Sequence, residues 1–303
     1  MADLASRLRE LRAQRKLRQK DLAAKLGVAQ TTVANYEQGS RFPGETTLEK
    51  IADFFDVSMD YLLGRAESSI RQTLPSVPRE EDSLGPLARR YLDTLLAGNR
   101  EEAGRLVLRA LQNGDSLRGM YREVFERTLR EVGALWEQGK IDVAREHHFS
   151  LSTQQIMSQL YPHLLDARKK ARGLTCLSLT VSGEYHEIGS RMVADFLEME
   201  GWKAVFLGSN LSLQDILQAA RDHRPAVLAL SATLAYNVDS AARIVGLIQE
   251  APELKSVRIL VGGQAFNRFP ELWRRTGADG YATNADEAVK EAFRIAGERR
   301  AGR

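Results

Sequence analysis

From Gly173 onward the chain alternates between two periodicities, and this constrains its fold more than any other feature. Apolar, β-prone runs recur at 175–181, 203–208, 226–232, 257–262 and 280–283, each separated from the next by a helical pattern. Strands that alternate with helices close into a parallel sheet, because a parallel pair needs a crossover and the crossover is helical. The expectation is a doubly wound, five-stranded parallel sheet with helices on both faces. Such sheets bind ligands in the crevice beyond the carboxyl ends of their strands. Three sequences fall there: Gly183-Glu184-Tyr185-His186-Glu187-Ile188-Gly189-Ser190 after the first strand, Ser231-Ala232-Thr233-Leu234 after the third, and Gly262-Gly263 after the fourth. Taken alone, a loop histidine such as His186 is more often a plain surface residue than a ligand. His186-Glu187-Ile188-Gly189-Ser190 is not a zinc-protease motif, because the second histidine is missing at position 190.

At 303 residues the chain is long enough for more than one core. With 43% hydrophobic and 27% charged residues its composition is that of an ordinary soluble protein. No run approaches the roughly 18 apolar residues that span a bilayer, and residues 1–7 lack the apolar core of a signal peptide. Membrane association is not expected. The single cysteine, Cys176, sits in a strand pattern and excludes a disulfide framework, so a cytoplasmic location is expected. Charge is uneven: residues 1–25 hold eight Lys or Arg against three acids, while the whole chain has a net charge of only +3. A basic face of this kind points to an anionic partner.

That basic stretch lies in a run of four short helical patterns, over residues 3–14, 19–26, 28–38 and 47–55, with Gly27 and Gly39 as punctuation. Two short helices joined by a Gly turn read as a helix-turn-helix. The residues Gln19-Lys20-Asp21-Leu22-Ala23, Leu26-Gly27-Val28, Thr31-Thr32-Val33, Asn35-Tyr36-Glu37-Gln38-Gly39, Pro43 and Leu48…Ile51-Ala52 closely resemble the lambda-repressor/XRE DNA-binding domain over positions 4–64. A helix whose first turns carry Gln30, Thr31, Thr32 and Asn35 presents short polar side chains to base edges of double-stranded operator DNA. By the resemblance Gln19 clamps a phosphate, and Arg41 is placed to reach the backbone as well. Val33 and Tyr36 read as core.

Residues 65–86, rich in Ser, Pro and charge, read as a flexible linker. Residues 87–172 are helical throughout and give four segments with short connections, an antiparallel bundle. The first carries Leu87, Tyr91, Leu95 and Leu96. The second opens on an Asn99/Glu102 capping box, and the third runs from Ser116 to Trp136. The fourth runs from Asp142 to beyond Leu160. The hairpin 137–141 places Trp136 beside Val143, Glu146 and His147. On spacing alone the tryptophan reads as core and Glu146-His147 as a surface pair. The domain expectation is therefore 1–64 helix-turn-helix, 65–86 linker, 87–172 bundle and 173–303 sheet domain of the flavodoxin-like, Rossmann-like kind.

The strand-end sequences, Glu184-x-His186-x-x-Gly189, Ser231-x-Thr233 and Gly262-Gly263, resemble in order and placement the cobalamin-binding Rossmann domain of methionine synthase and corrinoid proteins. With the helical cap the resemblance covers about residues 90–300. It implies that His186 is the lower axial ligand of cobalt, displacing the cofactor's dimethylbenzimidazole tail, with Glu184 standing where the usual Asp fixes the imidazole. It further implies that Ser231 and Thr233 line the slot for the displaced tail, and that Gly262 and Gly263 let it approach the backbone. Trp136, followed after nine residues by Glu146-His147, resembles the motif of CarH-type photoreceptors, which use adenosylcobalamin to gate DNA binding. Trp136 and Val143 would then enclose the adenosyl group, Glu146 would accept hydrogen bonds from it, and His147 would shape the same pocket.

Two departures stand out. The family carries a MerR-type rather than an XRE-type DNA-binding domain, and it places a His after the Trp where this chain has Glu137. The resemblance implies a cobalamin-binding, light-responsive regulator without enzymatic turnover, acting on operator DNA as a homo-oligomer, dimer or tetramer. The alternatives are a light-independent cobalamin or redox sensor and a corrinoid methyl carrier.

Overall fold

The computed structural model describes residues 4–15, 17–40, 43, 45–55, 57, 62, 85–234 and 237–297. The chain parts into two units, Met1–Asp82 and Ser83–Arg303. Arg41 and the linker sequence up to residue 84 lie outside the described residues.

In the first unit, helices α1 (Leu4–Gln14), α2 (Gln19–Leu26), α3 (Gln30–Gln38) and α4 (Glu45–Phe55) follow the apolar spacing of the sequence. Leu8, Leu22, Val33 and Ile51 are completely buried at its centre, and Tyr36 joins them. Gly27 and Gly39 end α2 and α3 in the left-handed conformation (φ +69° and +72°), where a residue without Cβ carries no steric penalty. The third helix begins at Gln30 rather than Val28, because Ala29 is extended and takes the N-cap position. The fourth begins at Glu45, two residues before the expected Thr47.

In the second unit, α5 (Pro86–Leu96) and α6 (Arg100–Gln112) form the first bundle hairpin. Asn99 caps α6 by accepting from the Glu102 amide (3.2 Å). The Glu102 carboxylate turns outward to Arg105 (2.8 Å) and makes an ion pair within the helix. The third helical run, α7, is built from Leu117–Gly119, a π-helical stretch Met120–Glu126, and Arg127–Glu137. The hydroxyl of Thr128 donates to the carbonyls of Val124 (2.7 Å) and Phe125 (3.3 Å) where the π-helical stretch ends. The fourth segment divides into α8 (Val143–Gln159) and α9 (Tyr161–Ala167), at Leu160 just before Pro162. Tyr91, Phe125 and Phe149 pack as tilted and edge-to-face rings at the bundle's heart, and the Tyr91 hydroxyl donates to Thr153 (3.0 Å).

Among the described residues five parallel strands follow: β1 (Thr175–Thr180), β2 (Lys203–Gly208), β3 (Val227–Ser231), β4 (Arg258–Gly262) and β5 (Gly280–Ala282). Their order is β2-β1-β3-β4-β5, so the winding reverses between β1 and β3. Helices α10 (Ile188–Met199), α11 (Leu213–His223), α12 (Val238–Glu250) and, last, α15 (Ala285–Gly297) connect or cover them, with short α13 (Gln264–Arg268) and α14 (Leu272–Arg275) after β4. The register sets Thr180 opposite Ser231 and Ser231 opposite Gly262, which aligns the three strand-end sequences along one edge. One apolar core spans the bundle and one sheet face, from Tyr91 and Phe149 through Phe196 to Ile295; a second lies under α11 and α12. None of the described helices is long and apolar enough to cross a membrane.

Candidate functional site

Beyond β1 the chain makes a tight turn in which the Thr180 hydroxyl donates to the Glu184 carbonyl (2.8 Å) and the Glu184 amide donates to the Val181 carbonyl (3.0 Å). This turn draws the Glu184 side chain fully inside, at 0% exposure, and leaves Tyr185 and His186 outside at 70% and 58%. Glu184 Oε1 accepts from the His186 amide (3.0 Å) and lies 2.5 Å from its ring Nδ1. Glu184 Oε2 accepts from the amides of Thr233 (2.8 Å) and Leu234 (3.1 Å) and from the Asn237 side chain (3.0 Å). One carboxylate thus bridges β1 and β3 at the point where the sheet reverses its winding.

Burial alone would raise the Glu184 pKa. The bonds from the His186 ring and amide, Thr233 and Asn237 outweigh it and hold the acid down to about 2. The His186 pKa is raised, first by its bond to Glu184 and further by the charges of Glu184 and Glu146. An ionised carboxylate can only accept, so the shared proton belongs to Nδ1, and Nε2 is the nitrogen available outward. The extra methylene of Glu184, relative to aspartate, lets one side chain reach both the histidine and the β3 loop.

Glu146 contributes to the field at His186 from the bundle. Its Oε1 accepts from Ser150 (2.6 Å), and its Oε2 lies 3.7 Å from His147 Nε2. Trp136, Val143 and His147 are exposed at 48%, 52% and 69%. The indole is therefore not core, contrary to the reading on spacing alone. Asp142 caps α8 by accepting from the Arg145 amide (2.8 Å), which fixes where Val143 and Glu146 begin their turn. Farther along α8, Gln154 donates to Glu187 (3.1 Å) and accepts on its carbonyl from Arg191 (3.1 Å). The same helix thus touches the histidine loop and α10.

Gly189, at the start of α10, has nothing within 4 Å of where a Cβ would stand, so space is open beside His186. Gly263 is different. At φ +101° its Cβ would fall 2.3 Å from the Ala232 carbonyl oxygen, so the chain's own backbone requires glycine there before any ligand arrives. Gly262 is less tight: a Cβ there would fall 3.0 Å from the Ala282 carbonyl oxygen. This demand of the chain's own backbone stands beside the expectation that the two glycines serve a ligand's approach. Ser231 and Thr233 are half-buried at the same edge, and Thr233 acts on Glu184 through its amide. Asn237 escaped the sequence reading. A buried acid with more acceptor capacity than one histidine can fill was the signal that further donors were needed.

On α3, Gln30, Thr31 and Asn35 are exposed and Thr32 half-buried, a polar face as expected. Gln19 donates its amide to Glu37 (2.9 Å), whose buried carboxylate also takes two bonds from Arg12 (2.6 and 2.9 Å). Arg9 donates to the Glu37 carbonyl, and Arg15 to the carbonyls of Phe54 and Phe55. Arg9, Arg12 and Arg15 of the basic N-terminal stretch thus make bonds within the fold itself.

Comparison with known proteins accords with this geometry. A helix-turn-helix family model matches residues 8–62, a B12 binding domain model matches residues 174–290, and a second B12 binding domain model matches residues 87–161. Trimethylamine corrinoid protein 1 of Methanosarcina acetivorans is 24% identical over 200 residues, 66% of this chain and 92% of its own length. Dimethylamine corrinoid protein 3 of the same organism is 26% identical over 165 residues, 54% of this chain and 76% of its own. The monomethylamine corrinoid protein of Methanosarcina barkeri shares the fold, with a TM-score of 0.60 at 22% identity over 67% of this chain and 95% of its own. The matched models indicate a cobalamin-binding protein that carries a helix-turn-helix domain.

The residues present fit such a cofactor. Among the described residues no group of three or more His, Cys, Asp or Glu is arranged to hold a metal ion. A cobalt carried in its own macrocycle would ask the protein for a single nitrogen, and His186 would offer Nε2, its Nδ1 being held by Glu184.

Proposed function

We propose that this chain is a cobalamin-dependent transcription regulator that answers to light through the adenosyl form of the cofactor and carries out no enzymatic turnover. The observation that carries the reading is the fixed His186–Glu184 pair at the sheet's winding reversal, in one chain with a polar-faced recognition helix. His186 would hold the cobalt through Nε2, with Ser231, Thr233 and the two glycines lining the tail slot and Gly189 leaving room beside the ring. Trp136, Val143, Glu146 and His147 would surround the upper ligand. Adenosylcobalamin, when bound, supplies a cobalt–carbon bond that light can break.

What the chain contributes is placement. Glu184 orients the histidine, Glu146 offers acceptors on the bundle side, and the exposed Trp136 and Val143 gain from being covered by an apolar group. Covering them would tie the bundle's hairpin to the histidine loop, and losing the cover would free it. A coupling of about 2 kcal/mol between cofactor and DNA sites changes operator affinity roughly thirtyfold. Gln30, Thr31, Thr32 and Asn35 would read the bases, with Gln19 and Arg41 on the backbone, as a cytoplasmic homo-oligomer, dimer or tetramer, on paired half-sites.

A second reading rests on Glu137. The photoreceptor family has a histidine at that position, and its absence here favours a dark sensor of cobalamin level or redox state. The named relatives are corrinoid proteins, and a methyl carrier shares the same His186 site; the helix-turn-helix domain supports regulation over that reading. The test is to load the full chain with adenosylcobalamin in darkness and select its preferred duplexes from a random pool. Absorbance, DNA affinity and oligomer mass are then compared before and after green light. Release of DNA with the spectral change supports the photoreceptor. A spectral change without release points to ligand sensing, and no selected duplex in either state removes the regulator.

A further inference from the structure

Asn237 is 4% exposed and caps the start of α12, yet its side chain turns away from that helix. Its Nδ2 donates to Glu184 Oε2 (3.0 Å) and lies 3.5 Å from the Gly183 carbonyl. Its Oδ1 stands 3.6 Å from where a Cβ on Gly183 would be, an ordinary contact, and the turn itself favours glycine because Gly183 has φ +84°. A buried amide that spends its donors on the loop before the candidate ligand serves that loop. With Thr233 and Leu234 it fills Oε2 with three N–H donors, leaving Oε1 alone to face His186.

We infer that Asn237 is a positioning residue for the cobalt ligand: it pins the Glu184 carboxylate so that the His186 proton stays on Nδ1 and Nε2 stays free. Glu184 and Asn237 form a matched set, the longer acid reaching across the switch point to a donor on the far loop. An aspartate, one methylene shorter, cannot hold the His186 ring and Asn237 together. The inference rests on the cobalamin reading for the identity of the metal, but the pair's geometry stands without it.

The test uses the full chain with nitrogen-labelled histidine, free of cofactor, at a pH where the ring is neutral. Long-range proton–nitrogen NMR then reports which ring nitrogen of His186 carries the proton. The wild type is expected to show Nδ1–H alone, Asn237→Ala and Glu184→Asp a mixture of tautomers, and Asn237→Gln, which keeps the amide donor, a return toward Nδ1–H. With cobalamin loaded and reduced to the cobalt(II) state, electron paramagnetic resonance reports the axial nitrogen. Asn237→Ala is expected to retain cobalamin about tenfold more weakly, with a smaller nitrogen-split fraction, and Asn237→Gln to recover part of both. If the alanine variant does not fold, the glutamine and aspartate variants decide on the same two readouts. An unchanged tautomer with unchanged nitrogen splitting in Asn237→Ala and Glu184→Asp overturns the inference. A wild type that retains no cobalamin overturns the functional reading instead, and the cofactor-free spectra still decide the role of Asn237.

Discussion

The hydroxyl of Tyr121, inside the π-helical stretch of the bundle, donates to the carboxylate of Asp195 on α10 at 2.8 Å, and both groups are buried. This bond joins the bundle to the helix that starts just beyond His186. Arg191, one turn earlier on α10, lies 3.8 Å from Asp195 and donates to the Gln154 carbonyl on α8. A π-helical turn is uncommon and recurs at functional positions. Here it lies at the contact between cap and sheet.

Burial pushes the Asp195 pKa up to about 6, against the lowering pull of Tyr121 and Arg191. Because an unfolded aspartate titrates near 4, the folded protein binds the proton more tightly. Asp195 therefore favours folding most below pH about 4, and that contribution, about 3 kcal/mol at most, is lost as pH rises through about 6. Asp195→Asn keeps an acceptor for Tyr121 without the buried charge. Melting of the second unit, followed from pH 4 to 8, is expected to show a stability loss in the wild type that the variant lacks. Parallel curves for the two proteins would contradict this.

Glu37 anchors the first unit through Arg12 and Gln19, and although burial works against it, these bonds hold its pKa below the ordinary range. Glu37→Gln leaves Arg12 facing a neutral amide in a buried place and is expected to cost about 3 kcal/mol. Hydrogen exchange should show faster amides in α1–α3, with α10 and the sheet unchanged.

The two glycine sites separate structure from binding. Gly263→Ala must move the Ala232 carbonyl and is expected to destabilise the second unit by at least about 2 kcal/mol. Gly189→Ala meets open space on a helix and is expected to leave stability unchanged or raise it by up to about 1 kcal/mol. The same variant should lose cobalamin if the macrocycle occupies that space. Equal melting losses in both variants would place the open side elsewhere.

Asn35, exposed on α3, is expected to read a base edge. Asn35→Ala should weaken binding to selected duplexes by about 1–3 kcal/mol while leaving non-specific, salt-dependent binding nearly untouched. Equal loss on both kinds of DNA would assign Asn35 to the backbone.

Much of this architecture is legible in the sequence itself. Alternating periodicity gives the five strands to within a residue or two at each end, and the left-handed glycines 27 and 39 mark the ends of α2 and α3. His186 and Glu184 are visible because three strand-end sequences coincide along one edge. The π-helical stretch is not visible: its apolar spacing mimics an α-helix over so short a run. Asn237 is hidden for a different reason. It lies 53 residues from its partner, and nothing local distinguishes it from any other helix-capping asparagine. Glu37 has the same character, since a buried acid looks like a surface acid until Arg12 is brought to it.

Whether this chain holds cobalamin through His186 is decided by comparing wild type with His186→Ala after loading and extensive dialysis. Retained chromophore is measured by absorbance, and the axial ligand by the nitrogen splitting of the cobalt(II) resonance. The wild type is expected to retain cobalamin with one protein nitrogen on cobalt, and the variant to retain at least about tenfold less and show no protein-derived splitting. Wild-type protein that retains no cobalamin, or a His186→Ala variant with the splitting intact, would contradict it.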